Sequence, residues 1–291
     1  MLLLKVSLSS NSDLWRDGDE MFDEKKETLT HRKSPSSILL VVALLLLPIS
    51  CGKDASEEGV SYLYPRVVAE YPHDSLSFTQ GLEFIENDLF ESTGLFGEST
   101  IRKIDLPTGS VIENKNLDKT LFGEGLTDLG NNRVIQLTWK SGIALIWSLN
   151  PLQLVESWNY EGEGWGICLS DEGQLVMSNG SGTLFFRDQR SFEIINSIKV
   201  TLDGEKVERL NELECDGSTI WSNIWKSDLI VGIDSETGVV KKVVDTSGLP
   251  INRTLLGAEA VLNGIARRPG SKNFLLTGKQ WPKIFEVELI N

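Results

Sequence analysis

Five segments of this 291-residue chain share one shape. "TQGLEFIENDLFESTG" from Thr79, "GEGLTDLGNNRVIQLTW" from Gly123, "GWGICLSDEGQLVMSNG" from Gly164, "LNELECDGSTIWSNIW" from Leu210 and "LNGIARRPGSKNFLLTGK" from Leu262 each read as strand, polar turn, strand. Aligned on Leu82, Leu126, Ile167, Leu213 and Ile265, they recur at intervals of 44, 41, 46 and 52 residues. Most continue into two further strand-like runs, as in "TIRKIDLPTGSVIENKNL" and "LIVGIDSETGVVKKVVDT". Four strands per unit at this spacing predict an all-β chain folded as a five-bladed β-propeller. The last unit stops after its third strand, "KIFEVELI", so the ring is expected to close with an N-terminal strand, "PRVVAEYPH" from Pro65, completing the last blade. A β-sandwich with long hairpins would leave the five matched units unexplained.

In such a ring the start of each first strand and the end of each second strand lie on one rim, because the two run antiparallel. That rim collects Phe78, Gln80, Phe122, Glu124, Trp165 and Asn211 from strand starts, and Trp139, Trp225 and Lys279 from strand ends. Glu124 is conspicuous, a carboxylate between Gly123 and Gly125 in an otherwise apolar stretch. The glycines are expected to let the backbone turn sharply and a ligand approach closely. A carboxylate among Phe122, Trp139, Trp165 and Trp225 would be desolvated, its pKa raised toward the range of a proton carrier near neutral pH. The pattern alone leaves plainer readings open: Glu124 as a cation ligand or loop cap, the Trp rings as core, Gln80 and Asn211 as partners of neighbouring backbone, and Lys279 as a solvated strand-end charge.

The remaining composition narrows the chemistry. Asp and Glu outnumber Lys and Arg by 42 to 28, a balance that repels nucleic acid and anionic headgroups and tolerates cationic groups such as peptide α-amines. Only two His and three Cys occur, too few for a zinc site or for a nucleophile activated by His. Cys168 and Cys215 lie in apolar strand-like runs and read as buried free thiols. Residues 1–51 hold a polar extension and then an export-type signal, with His31, Arg32 and Lys33 before the apolar run Ile38 to Leu47. Cys51, just after that run, resembles the lipidated Cys of a bacterial lipoprotein. Residues 52–61 are small and polar, a flexible tether to a folded domain at 62–291. The expected location is the cell envelope, on the periplasmic side as a lipoprotein, or secreted, with membrane contact only through the anchor.

"FTQGL", "FGEGLT", "LTWKSG", "EGWGI", "LNELE" and "LTGKQWP" together resemble the plant-type, or papaya-latex type, glutaminyl-peptide cyclotransferases, and the likeness runs from about Tyr64 to Leu289. The resemblance implies a five-bladed propeller enzyme, independent of metal, that converts the N-terminal Gln of peptides and proteins to pyroglutamate with release of ammonia; no cofactor is expected, and the chain is expected to work as a monomer. It places the catalytic acid/base on Glu124, the aromatic pocket on Phe78, Phe122, Trp139, Trp165 and Trp225, and the polar substrate contacts on Gln80, Asn211 and Lys279. A non-catalytic envelope propeller that binds peptides or scaffolds a partner is the rival reading. A lactone- or sugar-acting propeller fits less well, since those rely on calcium or a quinone with several inward carboxylates.

Overall fold

The structure, a computed structural model, describes residues 59–291. The export-type signal, Cys51 and residues 52–58 of the expected tether lie outside the described residues. The matched segments fold as antiparallel hairpins: β2 (Thr79–Ile85) with β3 (Asp88–Thr93), β6 (Gly123–Gly130) with β7 (Arg133–Thr138), β10 (Ile167–Leu169) with β11 (Gln174–Met177), β16 (Leu210–Asp216) with β17 (Thr219–Ile224), and β20 (Leu262–Arg267) with β21 (Phe274–Gly278). Further strands add to their outer sides: β4 (Thr100–Asp105) and β5 (Ser110–Asn116), β8 (Ile143–Leu149) and β9 (Leu152–Asn159), β12 (Thr183–Asp188) and β13 (Ile194–Lys199), and β18 (Leu229–Asp234) and β19 (Val240–Asp245). A short hairpin, β14 (Thr201–Leu202) with β15 (Glu205–Lys206), stands apart.

All-β is what the structure has, but the expectation of a five-bladed β-propeller made of four-stranded blades is corrected by the hydrogen bonding. Among the described residues only three sheets have four strands: β2–β5, β6–β9 and β10–β13. Apart from β14 and β15, the remaining described strands join in one eight-stranded sheet in the order β16-β17-β18-β19-β1-β22-β21-β20, with β1 at Ser61–Pro72 and β22 at Lys283–Ile290. The cause is β1, which uses both of its edges. Tyr64 to Pro72 pair antiparallel with β22, while Ser61, Tyr62 and Leu63 pair in parallel with Lys242, Val243 and Val244 of β19. A strand bonded on both sides leaves no boundary between what would otherwise be two sheets.

The first strand of each hairpin touches that of the next in a cycle, β2, β6, β10, β16, β20 and back to β2. Their backbones pass so closely that a side chain cannot stand between them. A Cβ at Gly81 would lie 2.7 Å from the Leu126 nitrogen, one at Gly125 2.7 Å from the Trp165 oxygen, and one at Gly166 2.1 Å from the Asn211 oxygen. The fourth strand departs from this rule, with Glu212 in the corresponding place. Its carboxylate reaches across to the Leu82 and Ile265 amides at 3.2 and 2.8 Å, tying β16 to β2 and to β20.

Apolar faces pack between successive sheets. Cys168, Val176, Leu184 and Phe186 meet Leu213, Ile220, Val231 and Ile233 in one such layer. Within it Cys168 and Cys215 form a disulfide, with Cα atoms 5.6 Å apart. This corrects the expectation of free thiols: the two apolar runs belong to neighbouring sheets, whose close approach brings the sulfurs together.

Candidate active site

Glu124 is the second residue of β6 and is 4% exposed. Its position is held through backbone: the Ser92 hydroxyl donates to the Glu124 carbonyl, and the next residue, Gly125, donates its N–H to the Trp165 carbonyl at 2.7 Å. The flanking glycines serve this approach of strands rather than the sharp turn and ligand access expected from the sequence. Neither has a left-handed backbone, and a Cβ on Gly123 would stand 2.6 Å from the Thr93 carbonyl. Burial raises the Glu124 carboxyl well above the ordinary carboxylate range; Lys279 pulls it down and the charge of Glu163 adds to the rise.

Lys279 follows β21, fixed by its backbone N–H on the Val261 carbonyl at 2.9 Å, and is 5% exposed. Its Nζ lies 4.7 Å from the centre of the Phe78 ring. Burial depresses its pKa to about 8 against the opposing attraction of Glu124. Each of the two groups therefore feels the other, although among the described residues they form no ion pair. An acid that stays protonated unusually high thus lies near an amine that loses its proton unusually low.

The aromatic residues expected at the rim divide into two contacting sets. Phe122 packs edge-on against Phe78 at 6.1 Å and against Trp139 at 5.6 Å between ring centres. Trp165 meets Trp225 at 5.5 Å and 84°. Gly180, in a left-handed conformation, seats the Trp165 indole, since a Cβ there would come within 2.6 Å of the ring. Gln80, buried on β2, accepts from the Asn263 amide at 3.1 Å through its own Oε1, which leaves its NH2 group as the free donor. Asn211 is buried at the start of β16, its carbonyl accepting from Ser178 at 2.7 Å.

Two contributors were not read from the sequence. Glu163 accepts from the Trp139 indole N–H at 2.8 Å and from the Trp165 indole N–H at 3.1 Å, both through Oε2, and so bridges the two aromatic sets. Its signal was an acidic residue two places before Trp165 in "EGEGWG", which reads as a solvated turn. Phe96 is 58% exposed and packs edge-on against Phe122 at 5.4 Å, extending the aromatic wall outward. Among the described residues no group of three or more His, Cys, Asp or Glu side chains is placed to hold a metal ion. The chemistry on offer is that of one raised carboxyl, one depressed amine and amide donors, walled by aromatic rings.

The model of the family described as glutamine cyclotransferase matches residues 40–289. The chain belongs to the glutamine cyclotransferase family. It is 39% identical over 227 residues to a glutaminyl-peptide cyclotransferase of Arabidopsis thaliana, an alignment that spans 77% of this chain and 70% of that one. The crystal structure of a glutaminyl cyclase from Myxococcus xanthus superposes with a TM-score of 0.74 at 39% identity, covering 79% of this chain and 98% of the other. Within this family member, the carboxylate of the "FGEGLT" segment and the lysine of the "LTGKQWP" segment are the two groups whose proton affinities are moved toward each other.

Proposed function

We infer that this chain is a glutaminyl-peptide cyclotransferase, closing the N-terminal Gln of peptides and proteins to pyroglutamate, and that Glu124 carries the proton. The substrate contains both reactants: its α-amine attacks its own side-chain amide carbon, so the protein supplies no nucleophile. The nitrogen–carbon bond of the ring forms, the carbonyl π electrons move to oxygen, and the amine proton passes to the Glu124 carboxylate. When the tetrahedral intermediate collapses, the same proton goes from Glu124 to the departing nitrogen, the old amide bond breaks, and ammonia leaves. The observation that carries this reading is the burial of Glu124 beside Lys279, which brings a carboxyl's proton affinity up toward that of the groups it must serve.

The other roles follow from position. Lys279 and the free amide groups of Gln80 and Asn211 are donors toward the carbonyl oxygen as negative charge grows on it. The rings of Phe78, Phe122, Trp139, Trp165 and Trp225 exclude water and favour the folded-back conformer in which amine and carbonyl meet. The acidic balance argues against nucleic acid as a partner. Export is supported by the apolar run before Cys51 and by the Cys168–Cys215 bridge, a bond that persists in oxidising compartments; Cys51 would then be the lipid anchor.

The test is Glu124→Gln, assayed by ammonia release from a Gln-initiated peptide. The variant is expected to fold and bind as the parent does while kcat falls by roughly 10²- to 10⁴-fold, the worth of a positioned acid/base. EDTA is expected to leave the parent's rate unchanged. Full turnover in the variant would reject Glu124 as the proton carrier.

A further inference from the structure

Glu163 stands in the connection between β9 and β10, and its half-exposed side chain is engaged by the protein at both oxygens. A single oxygen accepts an indole N–H from Trp139, just after β7, and another from Trp165, just before β10. These two rings belong to different sheets. The connection is itself pinned, with the Tyr160 N–H on the Gly142 carbonyl at 2.8 Å and the Gly164 N–H on the Trp139 carbonyl at 3.1 Å. Lys140 approaches the other Glu163 oxygen at 3.6 Å and also lies over the Trp139 ring at 4.4 Å.

We propose that Glu163 is the positioning residue of this site, locking the Trp139 and Trp165 walls to each other with one carboxylate oxygen and presenting a fixed negative charge to Glu124. The proposal rests on the cyclotransferase reading for its consequence in turnover, not for its geometry. An indole N–H bonded to a carboxylate is a charge-assisted contact, stronger than one to a neutral acceptor, and two such bonds on one oxygen leave neither ring free to turn. The charge acts separately. The titratable side chains that face Glu124 are Lys279, which favours its ionised form, Glu163, which opposes it, and Tyr160, whose own hydroxyl ionises less readily chiefly through burial and in smaller part through the charge of Glu124. Glu163 is thus the negative charge that strengthens the hold of Glu124 on the proton it takes from the amine, and it is held in place by the very rings it orders.

Two substitutions separate the parts. Glu163→Gln keeps an oxygen that can accept an indole N–H but removes the charge; Glu163→Ala removes both. In the Gln variant the acid limb of kcat against pH is expected to move to lower pH, because Glu124 then ionises more easily. The titration of the Glu124 carboxyl, followed by 13C NMR of Glu-labelled protein and identified by its loss in Glu124→Gln, is expected to move the same way. In the Ala variant KM for a Gln-initiated peptide should rise roughly tenfold, the worth of a lost hydrogen bond to a charged group, and acrylamide should quench tryptophan fluorescence more strongly. An unmoved NMR titration in Glu163→Gln, or an Ala variant with unchanged quenching, overturns the proposal. If the parent releases no ammonia and the titration nonetheless shifts, the positioning role stands and the cyclotransferase reading falls.

Discussion

Replacing Lys279 by Met should make the protein more stable while removing most of its activity. The ammonium is 5% exposed, and burial brings its pKa from an ordinary 10.5 to about 8. At pH 7 the side chain is still mostly charged, so the fold carries the difference as a cost of about 3 kcal/mol, at ~1.4 kcal/mol per pKa unit. The Phe78 ring beneath Nζ returns part of it, ~0.5–2 kcal/mol for a cation over an aromatic face. Met has nearly the same length and no charge to desolvate, so the variant should gain about 1–3 kcal/mol at pH 7. The pH dependence gives the sign. Between about 8 and 10.5 the unfolded chain holds a proton on Lys279 that the folded chain has lost, so parental stability rises with pH through that window and the advantage of the variant closes. Urea unfolding of both proteins at pH 7 and 10 reads this directly, since groups common to both cancel in the difference. Activity should fall by roughly 10²- to 10³-fold if Lys279 is a donor to the developing oxyanion, and the acid limb should move upward because the ionised form of Glu124 has lost its counter-charge. A variant that unfolds at lower urea than the parent at pH 7 would refute the reasoning, for it would mean that the buried ammonium stabilises the fold.

Glu91, fully buried, accepts from His73 at 3.0 Å, Thr79 at 2.6 Å and Arg102 at 2.8 Å. Burial opposes its ionisation, but these partners outweigh it and hold its pKa at about 2 rather than 4.5. Glu91→Gln should therefore cost about 3 kcal/mol at pH 7, and because the folded pKa is depressed, the loss should shrink as pH falls from about 4.5 toward 2; urea midpoints at pH 7 and 3 check this. The Cys168–Cys215 bridge closes a stretch with a sequence separation of 47, so the double Cys→Ser variant should lose about 4 kcal/mol by the loop-entropy relation, measured by unfolding under non-reducing conditions.

How much of this was legible depended on whether a residue acts along the chain or across it. The five hairpins could be read because alternation, polar turns and the returning Leu or Ile positions are local signals, repeated. The joining of β19, β1 and β22 could not, because Ser61–Leu63 find their partners at Lys242–Val244, and nothing in the run "SYLYPRVV" separates a strand bonded on one edge from a strand bonded on two. The thiols failed for the same reason: Cys168 and Cys215 each look like a small apolar residue in its own strand, and only the meeting of two sheets makes them a pair. Glu163 was passed over because a Glu in a glycine-rich turn is ordinarily solvated, and its two indole partners are distributed over separate units of the repeat.

The placing of the candidate residues has a physical reason in the strands. Gly81, Gly125, Gly166 and Glu212 occupy one level of the cycle of first strands, as their contacts with one another show, and Glu212 binds the amides just beyond Gly81 and Gly264. The residue before each of these five is then set at one end of the cycle: Gln80, Glu124, Trp165, Asn211 and Asn263. A repeat that requires so little side chain at one position leaves the preceding position as its main freedom, and the five units fill it with two kinds of amide, a ring and one carboxyl. Glu212 is no rival to Glu124, because both of its oxygens are spent on backbone amides. Glu124 alone among the five slots is an acid, and with Lys279 arriving from the end of β21 it meets the one nearby amine whose proton affinity burial has lowered. The place of the carboxyl therefore follows from register: moving it one residue along β6 would put it at Gly125, where the Trp165 carbonyl stands 2.7 Å from any Cβ and the strands could not close.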